Sequence, residues 1–147
     1  MLAIVQRVLK GSVSIDTFVI SKIEKGYVIL LGIFENDTET DIEKIADKIV
    51  HLRVLADENN TMNLSILDTK GEILLVPQFT LCADVSQRRP SFIHAMKPEK
   101  AEPMFKRVAE KLKISGITVK TGKFGAYMNV EIANDGPVTI IIDTKKP

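Results

Sequence analysis

The chain has 147 residues, of which 45% are hydrophobic and 27% are charged, and its net charge is +1. This size and composition predict a single soluble domain over residues 1–147 and exclude a disordered or low-complexity chain. A lone cysteine excludes an internal disulfide, which is typical of a protein in a reducing cytosol. The sequence shows no signal-peptide pattern and no run of about 18 apolar residues that could span a membrane. We therefore expect a cytoplasmic protein without a membrane partner.

The charges are divided unevenly along the chain. Residues 1–81 carry 8 Lys and Arg against 12 Asp and Glu, a net of −4, and residues 82–147 carry 12 against 7, a net of +5. A basic half is typical of a protein that faces an anionic partner such as RNA, but an ordinary solvated surface explains the same asymmetry.

The first third of the chain predicts strands followed by a helix. Period-two alternation predicts strands at residues 2–9, 13–15 and 18–23, with Gly11 and Ser12 as a break, and the apolar run 27–34 predicts a strand buried on both faces. Thr38 and Asp41 have the spacing of a capping box. The helix behind them has an apolar stripe at Ile42, Ile45, Ala46 and Ile49.

The rest of the chain continues this mixed pattern. We predict short strands at residues 52–55, 72–76, 118–121, 126–133 and 138–143, and a polar loop at residues 57–63. A second helix begins at Pro98, ends at Gly116 and buries Ala101, Met104, Phe105, Val108, Ala109 and Leu112. The fold class is therefore α+β, with a curved mixed or antiparallel sheet, a partial barrel, backed by two helices.

Two stretches interrupt the strands in ways that allow function. In Pro77-Gln78-Phe79-Thr80-Leu81 the proline ends regular pairing, so the N–H groups of Gln78, Phe79 and Thr80 are candidates for an anion or oxyanion site. The alternative is a plain strand that carries Phe79 and Leu81 into the core. Asn134-Asp135-Gly136-Pro137-Val138-Thr139 is either a hairpin turn or a rigid backbone probe for a ligand.

Side-chain chemistry is sparse in this sequence. His51 and His94 are far apart and have no metal-like neighbours, so we expect no metal and no cofactor. Cys82 is expected to be a small buried hydrophobic residue rather than a nucleophile. An enzyme with this sequence would have to rely on backbone groups and on the substrate itself.

Four motifs together closely resemble the D-aminoacyl-tRNA deacylase family, and the resemblance covers the whole chain. They are Pro77-Gln78-Phe79-Thr80-Leu81, Arg89-Pro90-Ser91-Phe92, Gly122-Lys123-Phe124-Gly125-Ala126-Tyr127-Met128 and Asn134-Asp135-Gly136-Pro137-Val138-Thr139. The resemblance implies hydrolysis of the ester between a D-amino acid and tRNA, and removal of glycine from alanine tRNA. It also implies a homodimer with two active sites at the subunit interface.

The resemblance also implies roles for individual residues. Gln78, Phe79 and Thr80 would form the catalytic pocket with their backbone N–H groups. Gly136 and Pro137, joined by a cis bond, would reach in from the partner subunit, hold the α-ammonium with their carbonyls and exclude L-amino acids. The residues expected to support the pocket are Arg7, Phe124 and Met128.

The sequence departs from the family pattern at Pro77, where the family has serine. Proline has neither a hydroxyl nor an N–H, so it cannot take over a role that needs the hydroxyl or the backbone N–H of that serine. In the family the ribose 2′-OH is thought to assist attack by water, and Thr80 as a covalent nucleophile is the competing mechanism.

The expected partners are the aminoacylated 3′ end of tRNA and a second copy of the chain, without DNA. Basic residues on the second helix are candidates for docking tRNA, namely Lys97, Lys100, Lys106, Arg107 and Lys113. The alternatives are a non-catalytic tRNA- or small-ligand-binding module on the same fold and a metal-dependent deacylase.

Overall fold

The computed structural model describes residues 1–146, which form eight strands, two α-helices and one 3₁₀ turn. In chain order these are β1 (Leu2–Ile15), β2 (Phe18–Ile23), β3 (Gly26–Gly32), α1 (Glu39–His51), β4 (Leu55–Ala56), β5 (Met62–Leu64), β6 (Glu72–Pro77), the 3₁₀ turn (Phe79–Cys82), α2 (Pro98–Ile114), β7 (Thr118–Thr121) and β8 (Asn129–Asp143).

Six strands form one strongly curved mixed sheet. Its order is β2-β1-β3-β6-β7, and β8 pairs with β1. The pairs of β1 are antiparallel, whereas β3, β6 and β7 are parallel. At the far edge the Ser21 hydroxyl donates to the Thr121 carbonyl at 2.7 Å, and the Lys120 ammonium donates to the Lys22 carbonyl at 2.8 Å. These bonds bring β2 against β7, so the expected α+β partial barrel is confirmed.

The sheet separates two hydrophobic clusters. The smaller cluster, inside the barrel, consists of Val8, Val13, Ile23, Val28, Leu74 and Val76. The larger cluster fills the space between the other face of the sheet and the two helices. Tyr27 and Ile29 of β3 belong to the larger cluster and Val28 belongs to the smaller one, so β3 is buried on both faces as its apolar run predicted.

Both predicted helices are present. The N–H and the hydroxyl of Thr38 both donate to Asp41 Oδ2, at 2.8 and 3.1 Å, which is the predicted capping interaction of α1. The apolar stripe of α1 is buried in the larger cluster, and α2 begins at Pro98 and ends before Gly116 as expected.

The structure corrects several strand boundaries. β1 continues through Gly11 and Ser12, and Gly11 pairs with Ile23 on one side and Ile132 on the other. A Cβ on Gly11 would lie 2.5 Å from Val28 Cγ2, so this glycine permits close packing and makes no turn. The short strand predicted at 52–55 lies at Leu55–Ala56, and the predicted polar loop 57–63 contains the start of β5.

A buried polar network joins both ends of the chain to the start of α1. The N-terminal ammonium of Met1 donates to Asp37 Oδ1 at 2.7 Å and to Thr144 Oγ1 at 2.8 Å. The Thr144 hydroxyl and the Lys145 ammonium donate to Asp41 at 2.6 and 2.8 Å. Burial raises the pKa of Asp41, but the hydrogen bonds from Lys145, Thr144 and Thr38 outweigh it and hold this pKa well below its usual range.

Asp41→Asn is expected to destabilise the fold at pH 7 by about 1–3 kcal/mol, because buried donors lose a charged acceptor. The pKa of Asp41 is lower in the folded than in the unfolded state, so its contribution is present at neutral pH and is lost as the pH falls below about 4. Urea denaturation of both proteins at pH 7 and pH 3 measures this difference. The exposed Asp47→Asn is the control, and an Asp41→Asn penalty that is equal at both pH values would contradict the assignment.

Candidate active site

The candidate catalytic stretch begins where β6 ends at Pro77. Pro77 still pairs with Leu31 of β3, but it has no N–H to donate. The Gln78 N–H donates to the Leu31 carbonyl at 2.8 Å and completes the ladder. The expectation that the Gln78 N–H is free is therefore wrong, because this residue makes the last sheet bond that proline cannot make.

After Gln78 the chain leaves the sheet in a 3₁₀ turn. Leu81 N–H donates to the Gln78 carbonyl at 3.3 Å, and Ala83 N–H donates to the Thr80 carbonyl at 3.2 Å. The N–H groups of Phe79 and Thr80 open the turn and have no acceptor among residues 1–146. Both side chains are exposed, so the alternative of a plain strand that buries Phe79 is wrong.

Gly32 allows the turn to pack directly on the end of β3. A Cβ at this position would lie 2.8 Å from Leu81 Cβ, 3.2 Å from the Gln78 carbonyl oxygen and 3.3 Å from Cys82 Sγ. Any larger residue would push the turn away from the sheet and displace the free N–H groups. The sequence pattern alone gave no signal for this role of Gly32.

The side chains of the turn offer little conventional catalytic chemistry. The Gln78 side-chain amide donates to the Thr80 hydroxyl. Within residues 1–146 no carboxylate or imidazole is hydrogen-bonded to that hydroxyl. Thr80 therefore has no described base that could activate it as a nucleophile.

Cys82 is 1% exposed and lies under the turn. Burial, together with the nearby negative charge of Asp37, raises the pKa of its thiol to about 11. At neutral pH the sulfur is protonated and shielded, as expected for a buried hydrophobic cysteine.

Two of the expected supporting residues lie in different surroundings. Met128 lies beside Pro77, because a Cβ on Gly122 would meet Met128 Sδ at 2.8 Å and Pro77 Cδ at 3.5 Å. Phe124 packs instead against Phe105 of α2, with ring centroids 6.1 Å apart. Met128 is thus adjacent to the catalytic stretch, whereas Phe124 anchors its loop to the helix.

Phe92 is a neighbour of the site to which no role was assigned from the sequence. Its ring lies edge-to-face on Phe79, with centroids 5.0 Å apart and an interplanar angle of 73°. It is the last residue of the Arg89-Pro90-Ser91-Phe92 motif, and that motif was the only sequence signal for it.

Gly136 and Pro137 lie within a single long strand. β8 runs from Asn129 to Asp143, so the alternative of a hairpin turn is wrong. Gln6 pairs with Thr139 and Val8 with Asn134, so four residues of β8 stand opposite the single residue Arg7. These residues form a wide bulge. The Gly136–Pro137 bond in it is cis, and both residues are exposed.

The Arg7 side chain, which is 13% exposed, holds this bulge from behind. Its Nε donates to the Asp135 carbonyl and contacts Asp135 Oδ2, both at 3.2 Å. Its Nη1 donates to the Val54 carbonyl at 2.7 Å. A planar guanidinium can make these bonds together, which fixes the bulge to the segment between α1 and β4.

The bulge and the 3₁₀ turn of one chain lie far apart. Met128, directly before β8, is near Pro77, and seven residue steps of extended chain, about 23 Å, lead from it to the first residue of the bulge. Two surface cavities, of about 470 and 610 Å³, are lined by neither the turn nor Gly136 and Pro137. Phe79, Thr80, Gly136 and Pro137 are all exposed, and neither of these two cavities joins the turn to the bulge.

The described residues contain no group of three or more His, Cys, Asp or Glu side chains that could hold a metal ion. None of the helices within residues 1–146 combines the length and apolar character needed to cross a membrane. The expectation of a site without metal or cofactor stays a prediction.

Comparison with known proteins gives consistent results. Residues 4–143 match the family model described as D-Tyr-tRNA(Tyr) deacylase. The chain is 56% identical over 147 residues to a D-aminoacyl-tRNA deacylase of Thermoanaerobacter sp. (strain X514) and 46% identical to one of Clostridioides difficile (strain 630). Each alignment covers 99% of both proteins.

Two solved structures are similar to this one. One is titled c-Myc DNA Unwinding Element Binding Protein, with a TM-score of 0.93, 42% identity and coverage of 98% of this chain and 99% of that chain. The other is titled as a probable eukaryotic D-amino acid tRNA deacylase, with a TM-score of 0.84 and 14% identity, covering 96% and 97%. The second likeness shows the fold alone.

The surroundings of Cys82 predict an unreactive thiol. We expect no measurable alkylation of the folded protein by iodoacetamide at pH 8 within an hour, and rapid alkylation in 6 M guanidinium, because the thiolate is scarce and covered. Mass spectrometry measures the modification. Equal rates in the folded and unfolded protein would contradict the buried position.

Arg7→Ala is expected to destabilise the protein by about 1–3 kcal/mol, because partly buried carbonyl groups at Val54 and Asp135 lose their donor. Arg7→Lys is the matched variant, and it should recover only part of the loss because an ammonium lacks the planar fork. Urea denaturation gives the free energies of unfolding. If Arg7→Lys had the same free energy of unfolding as the wild type, only the positive charge at this position would be required for stability.

Proposed function

This chain belongs to the D-aminoacyl-tRNA deacylase family, and on that premise we propose how its two exposed backbone elements hydrolyse D-aminoacyl-tRNA and reject L-aminoacyl-tRNA. The reaction breaks the ester between the amino acid and the terminal ribose and releases free amino acid and tRNA. The observation that carries the proposal is the pair of unpartnered N–H groups at Phe79 and Thr80.

These N–H groups serve as the oxyanion site. In the tetrahedral intermediate the ester carbonyl oxygen becomes negative, and two adjacent fixed donors stabilise it better than they stabilise the neutral ester. The Gln78 side chain keeps the Thr80 hydroxyl engaged. The backbone, rather than a side-chain nucleophile, therefore provides the electrostatic stabilisation.

Gly136 and Pro137 of a second subunit provide the selectivity. Their exposed carbonyls accept hydrogen bonds from the α-ammonium, and the rigid backbone collides with an L side chain. D-amino acids and glycine avoid this collision, so glycine on alanine tRNA is also a substrate. Arg7 fixes the bulge from behind, while Met128 and Phe124 support the receiving pocket.

The separation of the two elements supports a homodimer. About 23 Å of extended chain lies between Met128 and the bulge of the same chain, so we infer that the bulge of a second subunit completes the pocket. The chain also exposes large apolar side chains that association would cover: Leu9, Phe18, Val19, Ile20, Tyr127 and Ile141.

Substrate-assisted attack suits the chemistry available here. No described base contacts Thr80, so the ribose 2′-OH of the substrate positions or activates the attacking water. Pro77, in place of the family's serine, does not disable the site, because the two free N–H groups belong to later residues. The site acts without metal or cofactor, and the protein works in the cytoplasm with tRNA rather than DNA as its partner.

Purified protein is expected to release D-tyrosine from D-Tyr-tRNA, in the presence of EDTA, and to spare L-Tyr-tRNA. Acid-precipitable radioactivity measures the remaining ester. Binding of tRNA without turnover would favour a non-catalytic module, and loss of activity in EDTA would favour a metal-dependent deacylase.

The matched pair Thr80→Ala and Thr80→Pro tests the source of catalysis. Alanine keeps the N–H and should keep near-wild-type kcat, whereas proline removes one donor and should lower kcat about 10²–10³-fold. Thr80 is the second residue of the turn and its N–H has no partner to lose, so proline removes no hydrogen bond of the fold, and thermal unfolding checks the fold of both variants. A large loss with Thr80→Ala would instead make the hydroxyl the nucleophile.

A further inference from the structure

The loop between the 3₁₀ turn and α2 takes no part in the chemistry described above. At its base Asp84 and Ser91 exchange two backbone hydrogen bonds of 2.8 and 2.9 Å. The Asp84 carboxylate accepts the Ser86 N–H at 2.9 Å. Residues 85–90 form the tip beyond this base, and every one of them is exposed. We name residues 84–92 the arginine loop.

The arginine loop is fixed to the candidate active site. Phe92, directly after the base, lies edge-to-face on Phe79, whose N–H belongs to the oxyanion site. Arg89 is three residues from Phe92, a reach of at most about 10 Å. This distance equals the rise of about three stacked nucleotides in one strand. The loop tip is therefore within about three nucleotide steps of the site, which is close enough to contact the nucleotides that precede the terminal adenosine.

The charge of the loop suits phosphate. Residues 85–98 contain Arg88, Arg89 and Lys97 and no Asp or Glu. Neither guanidinium has an ion-pair or hydrogen-bond partner among the described residues. The Asp84 carboxylate at the base of the loop is bonded to the Ser86 N–H, and Glu35 is joined through its N–H to the His94 carbonyl that follows the loop. Two adjacent guanidiniums without such partners are well suited to bind phosphate oxygens.

Three basic residues of α2 are less available. Lys106 pairs with Glu102 at 2.8 Å, and Arg107 pairs with Glu39 of α1. Lys111, on the same helix, pairs with Glu43 at 2.6 Å. The first pair lies within α2 and the other two join α2 to α1. All three pairs reduce the positive charge that α2 can offer to RNA.

We propose that Arg88 and Arg89 hold the phosphates of the single-stranded 3′ end of the charged tRNA while its terminal ester lies at Phe79 and Thr80. This inference rests on the proposed function of that site. The contacts act on binding and not on chemistry, because phosphate contacts position a nucleic acid without touching the scissile bond.

The test compares two substrates of the intact protein: D-Tyr-tRNA, and D-tyrosyl-adenosine, which has the same ester and no phosphate. Arg88→Ala/Arg89→Ala should raise KM for D-Tyr-tRNA about tenfold with kcat unchanged, and should leave hydrolysis of D-tyrosyl-adenosine within twofold of wild type. The slope of log KM against log salt should fall by about 1.4, which corresponds to two single-strand phosphates.

Two matched variants sharpen the result. Lys44→Ala/Lys48→Ala on α1 removes the same charge elsewhere, and its KM should change less than threefold. Arg88→Lys/Arg89→Lys keeps the charge and should retain the salt slope. An equal rise in KM for both double-alanine variants would show that only the overall charge matters, and it would overturn the proposal.

The remaining outcomes separate this inference from the function on which it rests. If the wild type hydrolyses neither substrate, the proposed function fails. If it hydrolyses both and the arginine variant is unchanged, only the phosphate contact fails. If the arginine variant loses the same fraction of kcat/KM on both substrates, the loop acts by supporting Phe79. If its sedimentation coefficient changes, the loop acts by contacting a second copy of the chain. Either result would overturn the proposal.

Discussion

The antiparallel ladder between β1 and β8 is the constraint on which the rest of the molecule depends. It pairs the first long strand with the last along almost their whole length, from Leu2 with Asp143 to Ser14 with Asn129. Because β1 also pairs with β3 and β2 on its other edge, it brings both ends of the chain into one curved sheet. The largest irregularity in this ladder is the bulge at Gly136 and Pro137, and a smaller register shift follows it between Val8 and Lys10. Regular pairing resumes beyond both irregularities, so the ladder fixes the bulge in its place along the strand.

A second consequence of the sheet is the abrupt turn after β6. Pro77 occupies the last paired position without an N–H, and Gln78 supplies the missing bond to Leu31. The chain can then turn closely over Gly32, where a side chain would not fit. The result is a short turn that begins with two unpartnered N–H groups, which is a costly arrangement inside a protein and a useful one at a surface that binds anionic oxygen.

The roles proposed for these two elements explain why side-chain motifs are so scarce. Stabilisation of an oxyanion and exclusion of an L side chain both require fixed positions of backbone atoms, and neither requires a particular functional group. The residues around them hold the backbone in place: Arg7 behind the bulge, Gly32 under the turn and Phe92 against Phe79. A backbone site of this kind tolerates the change from serine to Pro77 better than a site that depends on a hydroxyl.

The sequence by itself determined the fold class, both helices with their caps, the burial of β3 and Cys82, and the family to which the chain belongs. These features depend on local periodicity, on capping residues and on motif identity, which one sequence displays directly. The sequence did not determine that Gly11 lies inside a strand, that β8 passes through Gly136 and Pro137, or that the Gln78 N–H is bonded while those of Phe79 and Thr80 are free. Each of these depends on a partner distant in the chain, namely Val28, Arg7 and Leu31, and only the tertiary structure decides which backbone groups meet such partners and which remain open.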